Sequence, residues 1–251
     1  MESLSLPVCP PDKDESPQIE GVLFDVQGTL VDFYSTLVRE GNRVGRLKRV
    51  DANWGSVIDD WRLLYRQELD AVISGKRSWV TTDVIYRETL DLLFEKFPWG
   101  SSFSAEERDE LNHAWCRLDP WPDTIPGLLR LRERFVLSTL SNGSMSSVIS
   151  IVKVGKLPFD CVLTSELVRS FKPDPKVYQM AASALGLAPE KILMVACHKY
   201  DLKAAKNLGF KTAFIQRPLE FGPTGHVDLT SEPYFDLMAD SATDLALQLS
   251  T

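Results

Sequence analysis

The sequence predicts an α/β protein with a Rossmann-like parallel sheet core and a helical cap inserted after the first strand. Three observations carry that prediction. A short apolar run, "IEGVLFDV", ends in an acid and a turn, as a buried strand does. Segments with helical periodicity then fill residues 34–118 with no strand pattern between them. Beyond residue 119, short apolar strands alternate with helices, which implies a parallel sheet covered on both faces.

The elements follow in order. Residues 1–18 are rich in proline, serine and charge, without a basic start or an apolar stretch, and read as a disordered tail and not as a signal peptide. Residues 19–33 open the core. The cap, 34–118, contains "WGSVIDDWRLLYRQELDAVIS", "TTDVIYRETLDLLFEKF" and "SAEERDELNHAWCRL", each with apolar residues at helical spacing. The third begins with Ser104 followed by Glu107, the pattern of a capping box. "DPWPDTIPG" (119–127) reads as a hinge or re-entry loop. The core resumes over 119–251 as "FVLSTL", "SMSSVISIVKVG", "FDCVLTS", "DPKVYQMAASALG", "KILMVAC", "DLKAAKNLG" and "KTAFIQ". The stretch after residue 217 has no assigned role beyond walling the pocket or covering the sheet.

Composition excludes several classes. The chain has 251 residues, 44% hydrophobic and 25% charged, enough to bury a sizeable core. A net charge of −7 without a basic cluster argues against nucleic acid as a partner. No apolar run approaches the roughly 18 residues that cross a bilayer, so no membrane partner is expected. Cys9, Cys116, Cys161 and Cys197 lack CxxC spacing. They fit reduced thiols in the cytoplasm better than a disulfide or zinc framework.

Open parallel sheets carry their sites at the carboxyl ends of the strands. Four segments lie at such ends: Asp25 to Thr29, Ser141 and Asn142, Lys172, and His198 to Asp201. Each has a bland reading beside a functional one. Asp25 caps an Asx-type turn, or it is a carboxylate nucleophile supported by Thr29. Ser141 and Asn142 cap a helix, or they seat an anion at its start. Lys172, held extended before Pro173, is a solvated lysine, or it neutralises a carboxylate cluster. Tyr178 is a core tyrosine, or it faces the same crevice. Asp201 caps a helix and His198 is an exposed loop residue, or both serve the crevice. Arg62 in the insert lies on a solvated face or reaches down to the site, with Arg66 competing for that role.

Together "FDVQGTLVD", "LSNGS", "FKPDPKVY" and "HKYDLKAAKNLG" resemble the haloacid dehalogenase superfamily, and within it the L-2-haloacid dehalogenase branch. The match runs over residues 20–217. The resemblance implies that Asp25 is the nucleophile that displaces halide from carbon and forms an ester. It implies that Thr29 supports that carboxylate, Ser141 and Asn142 bind the substrate carboxylate, and Lys172 and Tyr178 belong to one motif beside the nucleophile. Asp201 then orients nucleophile, lysine and water, and Arg62 receives the halide. A homodimer is also implied, dimers being usual in that branch. Three departures touch the substrate and water subsites: Gln27 for an aromatic, His198 for an asparagine, and Ala196 for a serine.

The related magnesium-dependent phosphatases carry a second aspartate where this chain has Gln27, which cannot give and recover a proton at neutral pH. Where they carry a further metal-binding acid this chain has Cys197, a poor ligand for magnesium. The expectation is therefore a metal-independent hydrolase with no cofactor, acting on a small organic acid through an aspartyl ester. If His198 is the base for ester hydrolysis, the rate should rise through its ordinary value near 6.5. The alternatives are an aspartate-nucleophile enzyme for another electrophile such as an epoxide or lactone, then the phosphatase, then a non-catalytic binding protein.

Overall fold

A computed structural model describes residues 18–250; most of the expected disordered tail, and Cys9 with it, lies outside the described residues. Strand β1 (Gly21–Phe24) sits mid-sheet, paired in parallel with β4 (Val136–Ser141) on one side and β6 (Ile192–Ala196) on the other. With β5 (Cys161–Thr164), β7 (Lys211–Ile215) and β8 (Leu237–Ala239) they form a six-stranded parallel sheet of order β5-β4-β1-β6-β7-β8. The order reverses at β1, so a crevice opens above the carboxyl ends of β1, β4 and β6.

The two-residue period of the strands sorts their side chains between two cores. Val22, Phe24, Leu193 and Val195 pack on one face against α5 (Thr124–Arg132), α6 (Met145–Val154) and α9 (Ala242–Gln248). Leu23, Ile192, Met194 and Phe214 pack on the other against α7 (Pro175–Leu185) and α8 (Lys199–Asn207). Both faces are thus dry, and the strands read as continuous apolar runs.

The stretch expected to be a loop over 119–127 is shorter than its proline content suggested. Asp119–Pro120 is strand β3, paired antiparallel with β2 (Val31–Asp32), and α5 already begins at Thr124. Pro126 falls in the first turn, where its missing N–H costs nothing. Gly127 packs so closely on α9 that a Cβ there would come within 2.6 Å of Ala242 Cβ.

Between β2 and β3 the chain forms α1 (Phe33–Lys48), α2 (Trp54–Ile73), α3 (Thr82–Phe94) and α4 (Ala105–Asn112). Ser104 and Glu107 make the expected capping box, each side chain taking the other's backbone N–H. On α2, Trp54, Ile58, Trp61, Tyr65 and Leu69 are buried. The adjacent stripe, Asp59, Arg62, Leu63 and Arg66, lines a cavity over the sheet edge.

Candidate active site

The cavity is about 380 Å³, and Asp25 lies in its lining together with Gln27, Arg62, Ser141, Asn142 and His198. Asp25 follows β1 directly, and its N–H still donates to the Val195 carbonyl at 2.9 Å. Strand pairing therefore holds the acid at the sheet edge. Its carboxylate accepts from Lys172 Nζ at 2.8 Å on Oδ1 and from the Thr29 hydroxyl at 2.7 Å on Oδ2. His198 Nδ1 lies 3.1 Å from the same Oδ2. Thr29 is itself fixed by the Cys197 N–H at 3.0 Å. Burial opposes the charge on Asp25, but Lys172 and His198 overcome it and hold the carboxyl well below the usual range.

Lys172 is 1% exposed, so its ammonium is not solvated but shared between Asp25 and Asp201. Burial opposes this charge too, and the two carboxylates raise it above the ordinary lysine value. Asn142 positions the lysine: its Oδ1 accepts the Lys172 N–H at 2.7 Å and its amide donates to the Lys172 carbonyl at 3.4 Å. That amide is committed to the loop. Tyr178 does not face the cavity; it is fully buried beneath it, its hydroxyl donating to Asp201 Oδ1 at 2.6 Å. One turn into α7, the helical period sends its ring inward with Val177 and Ala181.

Ser141 and Asn142 do not cap α6. That helix starts later, capped by Ser144, which accepts from the Ser147 N–H, while the Met145 N–H goes to Glu166 at 2.6 Å. The helix start is therefore already closed by the chain's own side chains. Ser141 Oγ accepts the Gly143 N–H at 3.0 Å and lines the cavity.

His198 does not have an ordinary imidazole environment. Its Nδ1 meets Asp25, and its Nε2 lies 2.8 Å from Glu220 Oε1. A neutral imidazole has one N–H, so donating to both carboxylates takes the doubly protonated ring. Burial opposes that charge, yet the Cys197 sulfur and the Glu220 and Asp25 carboxylates raise His198 well above the usual histidine range. A base with an ordinary titration near 6.5 is therefore not what the geometry contains.

Arg62 is half-buried, not on a solvated face. Its guanidinium stands 4.4 Å over the Phe33 ring, with Tyr65 and Trp115 at 5.6 and 5.9 Å. It donates to the Tyr86 hydroxyl at 3.5 Å, and Tyr86 donates to Gln27 Oε1 at 3.2 Å. Tyr86 is locked between Tyr65 and Trp115, stacked at 4.0 and 3.9 Å. Arg66 pairs instead with Asp70 and sits over Tyr200.

A model of the haloacid dehalogenase-like hydrolases matches residues 19–209 of this chain. The chain belongs to that family. This haloacid dehalogenase-like hydrolase is 31% identical over 204 residues to an (S)-2-haloacid dehalogenase of Pseudomonas putida, covering 79% of this chain and 85% of that one. Among solved structures, an L-2-haloacid dehalogenase superposes with a TM-score of 0.86 at 37% identity, over 92% of this chain and 99% of the other. A defluorinating L-2-haloacid dehalogenase superposes at 0.89 with 36% identity, over 93% and 96%.

Magnesium serves some members of this fold, and the hydrolase's residues do not fit it. Asp25, Cys197 and His198 offer donor atoms within 4.8 Å of one another, but only one of the three supplies hard oxygen. The Lys172 ammonium already binds both Asp25 and Asp201. Sequence reading missed Tyr86, Glu220, Arg217 and Asp123. Arg217 donates to the Thr29 carbonyl at 2.8 Å and grips Asp123 with two bonds of 2.8 and 2.9 Å. The "QRPLEFG" stretch carried one usable signal, two charged residues directly after a buried strand.

Proposed function

We propose that this hydrolase displaces halide from C2 of a 2-haloacid, with Asp25 as nucleophile and without a metal. The observation that carries this reading is the Asp25 carboxylate, kept charged by Lys172, Thr29 and His198 in the lining of a cavity that also contains Arg62. The steps follow from that arrangement. The substrate carboxylate binds at Ser141 and the neighbouring backbone, which aligns C2 with Asp25. An Asp25 oxygen attacks C2, the carbon–halogen bond breaks with its electron pair, and the halide leaves toward Arg62. Proximity and alignment supply much of the acceleration. Water then attacks the ester carbonyl, and the 2-hydroxy acid departs. Asn142, Tyr178 and Asp201 act through Lys172, keeping its ammonium against the nucleophile. The helical insert serves as a cap that bears the leaving-group residues. The named relatives act on 2-haloacids, and the chain is read as acting on the same class.

This reading puts the enzyme in the cytoplasm, in keeping with the free thiols of Cys116, Cys161 and Cys197. No helix among the described residues is long and apolar enough to cross a membrane. The experiment is halide release from 2-chloro and 2-bromo acids, each enantiomer separately, with excess EDTA and beside Asp25→Asn. Release that survives EDTA and disappears in the variant supports the reading; no release from any acid removes the substrate class. A second reading, another electrophile such as an epoxide or lactone, draws on Gln27. Its carbonyl is held by Tyr86, so its amide N–H groups can serve a substrate oxygen.

A further inference from the structure

Glu220 is a buried acid that the steps above leave unused. It lies in the turn after β7 and is 2% exposed. Oε1 is 2.8 Å from His198 Nε2, and Oε2 accepts from the Cys197 thiol at 3.6 Å. The turn is anchored by Arg217 on Thr29 and Asp123. Gly28, at φ 85°, is the wall behind it: a Cβ there would come within 2.7 Å of Glu220 Oε1. The chain thus gives up a side chain at residue 28 to let a carboxylate reach one imidazole nitrogen, while the other nitrogen faces the nucleophile.

We propose that Glu220 and His198 form a base pair that works only in the second half of the reaction, hydrolysis of the Asp25 ester. This rests on the reading of Asp25 as nucleophile. In the free enzyme His198 bridges two carboxylates, carries both protons and is no base. Ester formation makes Asp25 neutral, so the charge that held the Nδ1 proton is gone and that proton leaves to solvent through the cavity. Glu220 keeps the Nε2 proton and the ring's orientation, which leaves the Nδ1 lone pair toward Asp25. Water oxygen then bonds to Asp25 Cγ as its proton passes to Nδ1. The bond from Cγ to the substrate oxygen breaks, the departing alkoxide takes the proton of the new carboxylic acid, and Asp25 and His198 return to their starting charges. One water is consumed, and one halide and one proton are released.

The surroundings of the imidazole agree with this switch. Asp25 meets it from the end of β1, Cys197 and Tyr200 from its own segment, and Glu220 from the turn. Tyr200 stacks on the ring with centroids 5.7 Å apart. Arg62 and Arg66 of α2 line the same cavity, and Lys172 holds the other oxygen of Asp25. Once Asp25 is esterified, these cations favour the neutral ring. His198 is the catalytic group, and Glu220 is its positioning residue.

Two measurements test the proposal. The chain has three histidines, so the His198 resonance is assignable by NMR through single substitutions of the others. Asp25→Asn imitates the neutral ester. In it the His198 titration moves down by about 1–3 pH units. Glu220→Gln also lowers it, and Glu220→Asp restores part of the shift. An unmoved titration in Asp25→Asn overturns the proposal without reference to substrate. Rapid-quench mass spectrometry with L-2-chloropropionate supplies the second test. His198→Ala and Glu220→Gln should release a burst of chloride, accumulate the Asp25 adduct, and free the hydroxy acid about 10²-fold more slowly or worse. Equal slowing of both products with no adduct leaves the pair a structural role only and also overturns the proposal. If the wild type releases no chloride from any 2-haloacid, the substrate reading falls, while the titration still judges the charge coupling.

Discussion

Lys172 Nζ lies 2.8 Å from Asp25 Oδ1 and binds Asp201 on its other side, so one buried ammonium serves two buried carboxylates. Removing it leaves Asp201 without a cation and Asp25 with His198 alone. Lys172→Met should abolish measurable turnover and lower folding stability by about 3–5 kcal/mol, the usual cost of an uncompensated buried charge. Denaturant unfolding beside halide release checks both. Stability within error of the wild type would mean that the carboxylates do not depend on this lysine.

Arg62 is held by geometry more than by charge. Its flat guanidinium lies 4.4 Å over Phe33 and reaches Tyr86, contacts a lysine ammonium cannot reproduce. Arg62→Lys should lower kcat/KM by about 10²-fold with little change in Tm, a loss of about 2.7 kcal/mol in transition-state binding. Turnover equal to the wild type would remove Arg62 from the leaving-group role.

Tyr86 links Arg62 to Gln27 through a single hydroxyl. Tyr86→Phe keeps the stacks on Tyr65 and Trp115, so it should fold normally and lose about tenfold in kcat/KM, the net worth of the two hydrogen bonds its hydroxyl makes. In a Gln27→Phe background the same change should cost less, because the link is already cut. A double-mutant cycle measures this coupling. Full additivity would show that the two residues act independently.

Stability should vary with pH in opposite senses for the two members of the Asp25–His198 contact. His198 is raised in the folded protein, so its contribution is complete below its unfolded value of about 6.5 and is lost as pH rises through the folded value. Asp25 is lowered, so its contribution is present above about 3.9 and is lost as pH falls toward its folded value. Tm followed upward from pH 6 should decline on the alkaline side, and His198→Asn should flatten that decline. The same decline in both proteins would assign it to another group.

The sequence by itself determined the sheet, the helical segments and the order in which they come. Apolar periodicity reports which side of an element faces inward, and strand ends in a parallel sheet converge on one edge. Asp25, Lys172 and Asp201 were therefore legible as neighbours although 147 residues separate the first pair. The start of α5 at Thr124 was hidden by prolines that read as a loop, although one of them, Pro126, fits a first helical turn. Tertiary structure decided the rest. The meeting of Tyr86 with Gln27 across 59 residues, and of Glu220 with His198 across 22, depends on packing angles that no period encodes. Tyr178 and Asn142 carry the right chemistry for a crevice, but packing spends them on Asp201 and Lys172. The ionisation of His198 is likewise a property of two carboxylates brought to one ring. A proton's free energy depends on distances within a few ångströms, and only the folded chain sets those.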